Sequence, residues 1–196
     1  SLGDVNGITI TGSQTTIRNI NVRRFSATGI SISGSDVLSR DVTIRNVVSR
    51  LNGDSGLFVA TATDSSILTI SNSRFTNNGG SGISGSGEFD EVSIINVELS
   101  DNSYDGVSIS SKLVTAQQIS ANNNGGAETF SSDDPGIGLE IDGATDVTIE
   151  DITTRDNTKE NILIGGEPLT RSVTIYNASI KRSEDADVLR IESETE

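Results

Sequence analysis

The 196-residue chain has no cysteine, histidine, methionine or tryptophan, and only two prolines, two tyrosines and five phenylalanines. Each absence closes off a chemistry. Without Cys or His there is no zinc site of the usual kind, no haem ligation, no thiol nucleophile and no Ser-His-Asp triad. A metal must then be a hard cation held by oxygens, with calcium the best match; no other cofactor is expected. No apolar run approaches 18 residues, so no segment is expected to insert in a membrane. Aromatics make up only 4% of the chain, so its core must be built from many thin layers of small side chains. The chain has neither an initiator Met nor a signal peptide, and is expected to be a mature product or a segment of a longer protein.

Charge is distributed unevenly. Fourteen basic against 28 acidic residues give a net charge of −14. Residues 1–75 carry seven basic and five acidic side chains, net +2, and residues 76–196 carry seven and 23, net −16. Such a field repels nucleic acid, and no basic, aromatic-bearing motif offsets it.

What the chain does have is a repeat. The segments TTIRN, VTIRN, LTISN, VSIIN, VTAQQ, VTIED and VTIYN end at Asn19, Asn46, Asn72, Asn96, Gln118, Asp151 and Asn177, a period of 22 to 33 residues. In five of the seven, an anchor follows ten positions later: Gly29, Gly56, Gly82, Gly106 and Asn161. After Gln118 that step is twenty residues, to Gly138, and after Asn177 it slips by about one, toward Val188. A fixed period of this size marks a solenoid.

Each repeat reads as three short strands, because apolar β-branched residues alternate with polar ones. The inward pairs are Ile30/Ile32, Val107/Ile109 and Leu139/Ile141 on the first strand, Val42/Ile44 and Val92/Ile94 on the second, and Ile20/Val22 and Val97/Leu99 on the third. Three strands per rung, stacked in register, predict an all-β, single-stranded right-handed parallel β-helix of about seven rungs. Residues 1–196 form one such domain. The Asn column ending the second strands is expected to be a buried ladder. A second column six residues on, Asn52, Asn78, Asn102, Asn124 and Asn157, is expected to play the same part. Stacked amides can satisfy the backbone groups that turns leave unpaired.

With ladder, anchor and three-strand rung in place, the chain resembles the pectate-lyase-like β-helix superfamily, with repeats of the carbohydrate-binding and sugar-hydrolase type. The resemblance implies an extracellular domain, secreted or at the cell surface, whose partner is polysaccharide held over the first-strand sheet. Polysaccharide lyases, glycoside hydrolases and epimerases share the fold with non-catalytic surface proteins, so it implies no single activity. The epimerase Tyr-Gly-x-Asp-Pro-His stretch has its nearest counterpart in residues 130–136, where Phe130 replaces the Tyr and Gly136 the His. The Gly-His-Gly and Arg-Ile-Lys of polygalacturonases do not occur.

Candidate residues cluster around the rung that breaks the step rule. The ten added residues fall within NNNGGAETFSSDDPG, and Asp133 and Asp134 are its candidate calcium ligands. Directly after it, Glu140 and Asp142 alternate with Leu139 and Ile141, so both carboxylates point outward from one strand. Residues two apart on a strand are about 6.6 to 6.8 Å apart, within the acid–base separation of an inverting glycosidase. A calcium site with the loop and a solvated acidic face are the alternatives. One rung earlier, Asp105 is a further acid or base candidate, and Tyr104 could stack on a sugar or support proton transfer. Phe130 and Arg50 complete the substrate-contact candidates. Arg50 belongs to an outward basic cluster with Arg18, Arg23, Arg24 and Arg45, suited to an acidic glycan or to the acidic half of a neighbouring molecule. Three functions remain open: a polysaccharide-recognising domain with catalytic residues elsewhere, an enzyme, and a structural or adhesive solenoid with end-to-end or homo-oligomeric contacts.

Overall fold

The computed structural model describes residues 3–33, 41–60, 66–125, 136–166, 172–183 and 188–192. Asp133, Asp134 and Phe130 lie outside them.

The chain winds into a right-handed parallel β-solenoid. Its strands are β1 (Ile8–Ile10), β2 (Gln14–Arg23), β3 (Ile30–Ile32), β4 (Asp41–Arg50), β5 (Leu57–Ala60), β6 (Ile67–Thr76), β7 (Ile83–Glu98), β8 (Val107–Asn122), β9 (Leu139–Asp142), β10 (Asp146–Glu150), β11 (Thr153–Asn157), β12 (Ile162–Gly165), β13 (Ser172–Tyr176), β14 (Ser179–Ser183) and β15 (Leu189–Ile191). The first-strand sheet stacks in the order β1, β3, β5, β7, β8, β9, β12, β15. All pairings are parallel, and the register follows the repeat: Val42 lies over Leu68, then Val92, Val114, Val147 and Val173. Among the described residues no helix is long and apolar enough to cross a membrane.

The thin-layer core follows from the alternation. Ile30, Ile32, Leu57, Val59, Ile83, Leu139, Ile141, Ile162 and Ile164 are fully buried in one column of rungs. A buried side chain of this kind contributes roughly 1.5–3 kcal/mol. The long step ending at Gly138 leaves the stack undisturbed, since Val107 pairs with Leu139 and Ile109 with Ile141. At the last rung Ile162 pairs with Leu189, which sets Val188 level with Asn161 and accounts for the one-residue slip.

The two Asn columns divide differently from the expectation. The second is the buried ladder. Asn52, Asn78, Asn102, Asn124 and Asn157 are at most 3% exposed, and each passes its Nδ2 to the Oδ1 of the next at 3.0, 3.0, 3.1 and 2.9 Å. Each Oδ1 also accepts the backbone N–H of the preceding Asn. The amides of Asn102 and Asn124 reach back to the carbonyls of Phe75 and Leu99. The anchor glycines are there to let this ladder pass: a Cβ on Gly82 would lie 2.6 Å from the Gly106 carbonyl and 2.9 Å from Asn102 Nδ2.

The first column is not buried. Asn19, Asn46, Asn72, Asn96, Gln118, Asp151 and Asn177 are all exposed, with φ between 49° and 57°. They are the corners where second strand becomes third. A left-handed residue bends the chain there, and Asn is among the few residues other than Gly that occupy this region at low cost. The bend turns the side chain outward, so these amides pair only locally, Asn46 to Asn19 at 2.8 Å and Asn96 to Asn72 at 2.7 Å.

Candidate functional site

Strand β9 has the expected polarity. Leu139 and Ile141 are buried, and Glu140 and Asp142 stand half-buried on the outer face of the first-strand sheet. In register, Ser84 lies beside Ser108, Ser108 beside Glu140, and Glu140 beside Leu163; Ser110 lies beside Asp142, and Asp142 beside Gly165. The Ser108 hydroxyl donates to Glu140 Oε2 at 2.6 Å. A row of hydroxyls thus runs into a pair of carboxylates on one strand face.

The electrostatics raise both acids. Burial pushes the Glu140 carboxyl up, opposed by the Ser108 bond and reinforced by the charges of Asp142 and Glu160. Burial pushes Asp142 up as well, with Glu192 adding to it. Glu160, Arg190 and Glu192 are the residues that sequence reading missed. Arg190 Nη1 lies 3.4 Å from Glu160 Oε1, and its other nitrogen pairs with Glu192. Gly165 leaves the space that the Glu192 side chain fills. The stacking rule could have found Arg190, because Leu163 pairs with it one rung above Glu140.

Asp105 is buried, and its Oδ1 accepts the backbone N–H groups of Gly136 at 2.7 Å and Ile137 at 2.9 Å. It therefore fixes the chain as it leaves the inserted segment and enters β9. Burial outweighs those two bonds and lifts its pKa to about 6, with Glu140 adding to the rise. Tyr104 is half-buried in the preceding turn, its backbone N–H bonded to the Gly80 carbonyl at 3.3 Å. Glu140 and Asp142 thus stand on the outer face, whereas Asp105 is buried one rung earlier, where it feels the Glu140 charge and has Tyr104 beside it in the turn. Arg50 lies apart from them. It sits on β4, which pairs with β2 and β6, in a groove of about 290 Å³ lined with Asn21, Val48, Arg74, Thr76 and Asn77. Among the described residues no three acidic side chains converge as metal ligands.

A model of the "Right handed beta helix region" matches residues 6–132 and again residues 39–191. No curated protein matches the sequence. Among solved structures, the chain is similar to the crystal structure of pectate lyase Pel9A, with a TM-score of 0.61 at 16% identity. That alignment covers 92% of this chain and 56% of the lyase, so the chain spans little more than half of the matched structure's length.

Proposed function

Because the chain belongs to the right-handed β-helix family, we propose that it is an extracellular polysaccharide-binding domain that holds a glycan along the outer face of its first-strand sheet. The observation that carries this reading is the in-register row Ser84, Ser108, Glu140 with Ser110 and Asp142 beside it. Hydroxyls and carboxylates repeated at the rung spacing of about 4.8 Å offer a sugar chain successive hydrogen bonds on a rigid, preformed surface. Tyr104 borders the row as an aromatic stacking surface, and the likeness to a pectate lyase supports polysaccharide as the ligand class.

A second reading rests on the acids. Glu140 and Asp142 are both raised toward the protonated form and stand two residues apart on one strand. In this reading one donates a proton to the leaving oxygen and the other, ionised, activates water, as in an inverting hydrolase. Glu140, the more buried of the two and held by Ser108, is the acid.

One screen separates these readings. The chain is incubated with a glycan array, soluble alginate, pectate and neutral glucans, with and without calcium, and both binding and new reducing ends are followed. Binding that falls at least about tenfold in Glu140→Gln/Asp142→Asn, a loss of about 1.4 kcal/mol, supports the recognition domain. Turnover abolished by the same changes supports the hydrolase. Silence on every glycan would leave a structural or adhesive solenoid and defeat both readings. Calcium, in this proposal, is held by Asp133 and Asp134, so Asp133→Asn/Asp134→Asn should abolish any calcium-induced rise in Tm. A rise that persists in the double variant places the ion elsewhere.

A further inference from the structure

The exposed corner that the Asn residues create carries a second, unrelated feature. Arg18 and Arg45 are register partners on β2 and β4, and so are Arg23 and Arg50. Neighbouring strands lie about 4.8 Å apart, so each pair sets two guanidinium groups side by side on one face. Like charges directly opposite one another destabilise a sheet. Three other arginines of the described surface are matched with acid: Arg74 with Glu98, Arg155 with Asp156, and Arg190 with Glu160 and Glu192. Among the described residues none of the four stacked arginines has such a partner, and the buried Nε of Arg50 has no hydrogen bond.

Arg18 and Arg45 line a groove of about 460 Å³ together with Asn19, Asn46 and Asn72, and among the described residues no carboxylate lines it. Asn19 and Asn72 spend their Oδ1 atoms on the amides of Asn46 and Asn96, which leaves their own Nδ2 donors for the groove. The charge stops after two rungs, because Arg45 is followed in register by Ser71 and Ser71 by Ile95. Further along the corner the residues are Glu150 and Asp151, which repel anions.

We propose that this corner groove binds a ligand carrying two adjacent oxyanions, one to each of Arg18 and Arg45, with the Asn19 and Asn72 amides as additional donors. Guanidinium forks suit carboxylate and phosphate oxygens through paired hydrogen bonds, and an anion between the arginines removes their mutual repulsion. The oxyanions can belong to an acidic glycan or to a free polyphosphate. The site shares no residue with the first-strand face and does not depend on its assignment.

The test is calorimetric titration of the full chain with a short oligouronate, inorganic tripolyphosphate and a neutral oligosaccharide of matched length. We expect Arg18→Gln/Arg45→Gln to weaken anion binding at least about tenfold, added salt to weaken it further, and Arg155→Gln to leave it unchanged. Binding of the oligouronate supports a glycan as the source of the oxyanions, and binding of tripolyphosphate alone supports a free polyphosphate. Glu140→Gln/Asp142→Asn should not alter these titrations, and the arginine variant should not alter neutral glycan binding, so the two proposals fail separately. The inference is overturned if neither anion binds, or if the arginine variant binds like the wild type. It is also overturned if sedimentation shows that the four arginines instead hold an acidic face of a second copy, the variant dissociating a dimer with no change in anion affinity.

Discussion

Two asparagine columns run the length of the same stack, yet they do different work. In the ladder from Asn52 to Asn157, each amide is buried and hydrogen-bonded both to its neighbour and to backbone. In the corner column from Asn19 to Asn177, each residue is exposed and is placed there for its left-handed backbone. Asparagine fills one column and dominates the other, where Gln118 and Asp151 also occur, but in one the side chain carries the energy and in the other the main-chain conformation does.

The largest expected effect breaks the buried column. Asn102→Leu strips the acceptor from the Asn78 backbone and amide N–H groups and leaves the Phe75 carbonyl unpaired. Unsatisfied buried groups cost about 1–3 kcal/mol each, so a loss of at least about 3 kcal/mol is expected in denaturant unfolding. A loss under about 1 kcal/mol would show that the ladder is not what holds the turns.

Asp105 extends the contrast from a buried amide to a buried charge. Its folded pKa of about 6 stands above the ordinary 3.8, so between those values the folded state binds more protons than the unfolded one. Its contribution to stability is therefore fully present below about pH 4, declines as pH rises to about 6, and is flat above that. Asp105→Asn keeps an acceptor for Gly136 and Ile137 while removing the titration. Unfolding across this range should lose much of its slope, and the variant should be more stable than the wild type at pH 8 by about 1–3 kcal/mol. A slope identical to that of the wild type would remove Asp105 from the account.

The corner column should respond to backbone preference alone. Asn96→Leu forces a bulky residue to φ 55° and is expected to cost about 1–2 kcal/mol. Asn96→Gly should cost only a few tenths of a kcal/mol, because glycine is at ease in that region. If Gly were as damaging as Leu, the side-chain bond to Asn72 would matter more than the bend. The smallest effect belongs to an exposed ion pair: Glu98→Gln, which breaks the 2.7 Å contact with Arg74, should change stability by under about 1 kcal/mol.

The stacking order was legible because a solenoid repeats locally. Val42, Leu68, Val92 and Val114 declare their register through alternation and a recurring anchor, and the ten added residues before Gly138 stand out as an insertion in that repeat. The outward aim of Glu140 and Asp142 followed from Leu139 and Ile141 for the same reason. Burial of the asparagines did not. Both columns recur with the same spacing and sit at turns, and repetition alone does not report which way a turn residue faces. Stacking could place Arg190 over Leu163, but its pairing with Glu160 was out of sight, since that contact runs three positions off register.

Periodicity by itself thus determined the fold, the rung register and the face on which the two acids stand, because side-chain alternation in a strand is a property of the local chain. Tertiary structure alone decided which asparagine column is buried, that Asp105 clamps Gly136 and Ile137, and that Arg18 and Arg45 share a groove with Asn19, Asn46 and Asn72. Those outcomes depend on the sign of φ at the corners and on what the next rung brings within reach, and both are fixed only when the rungs stack.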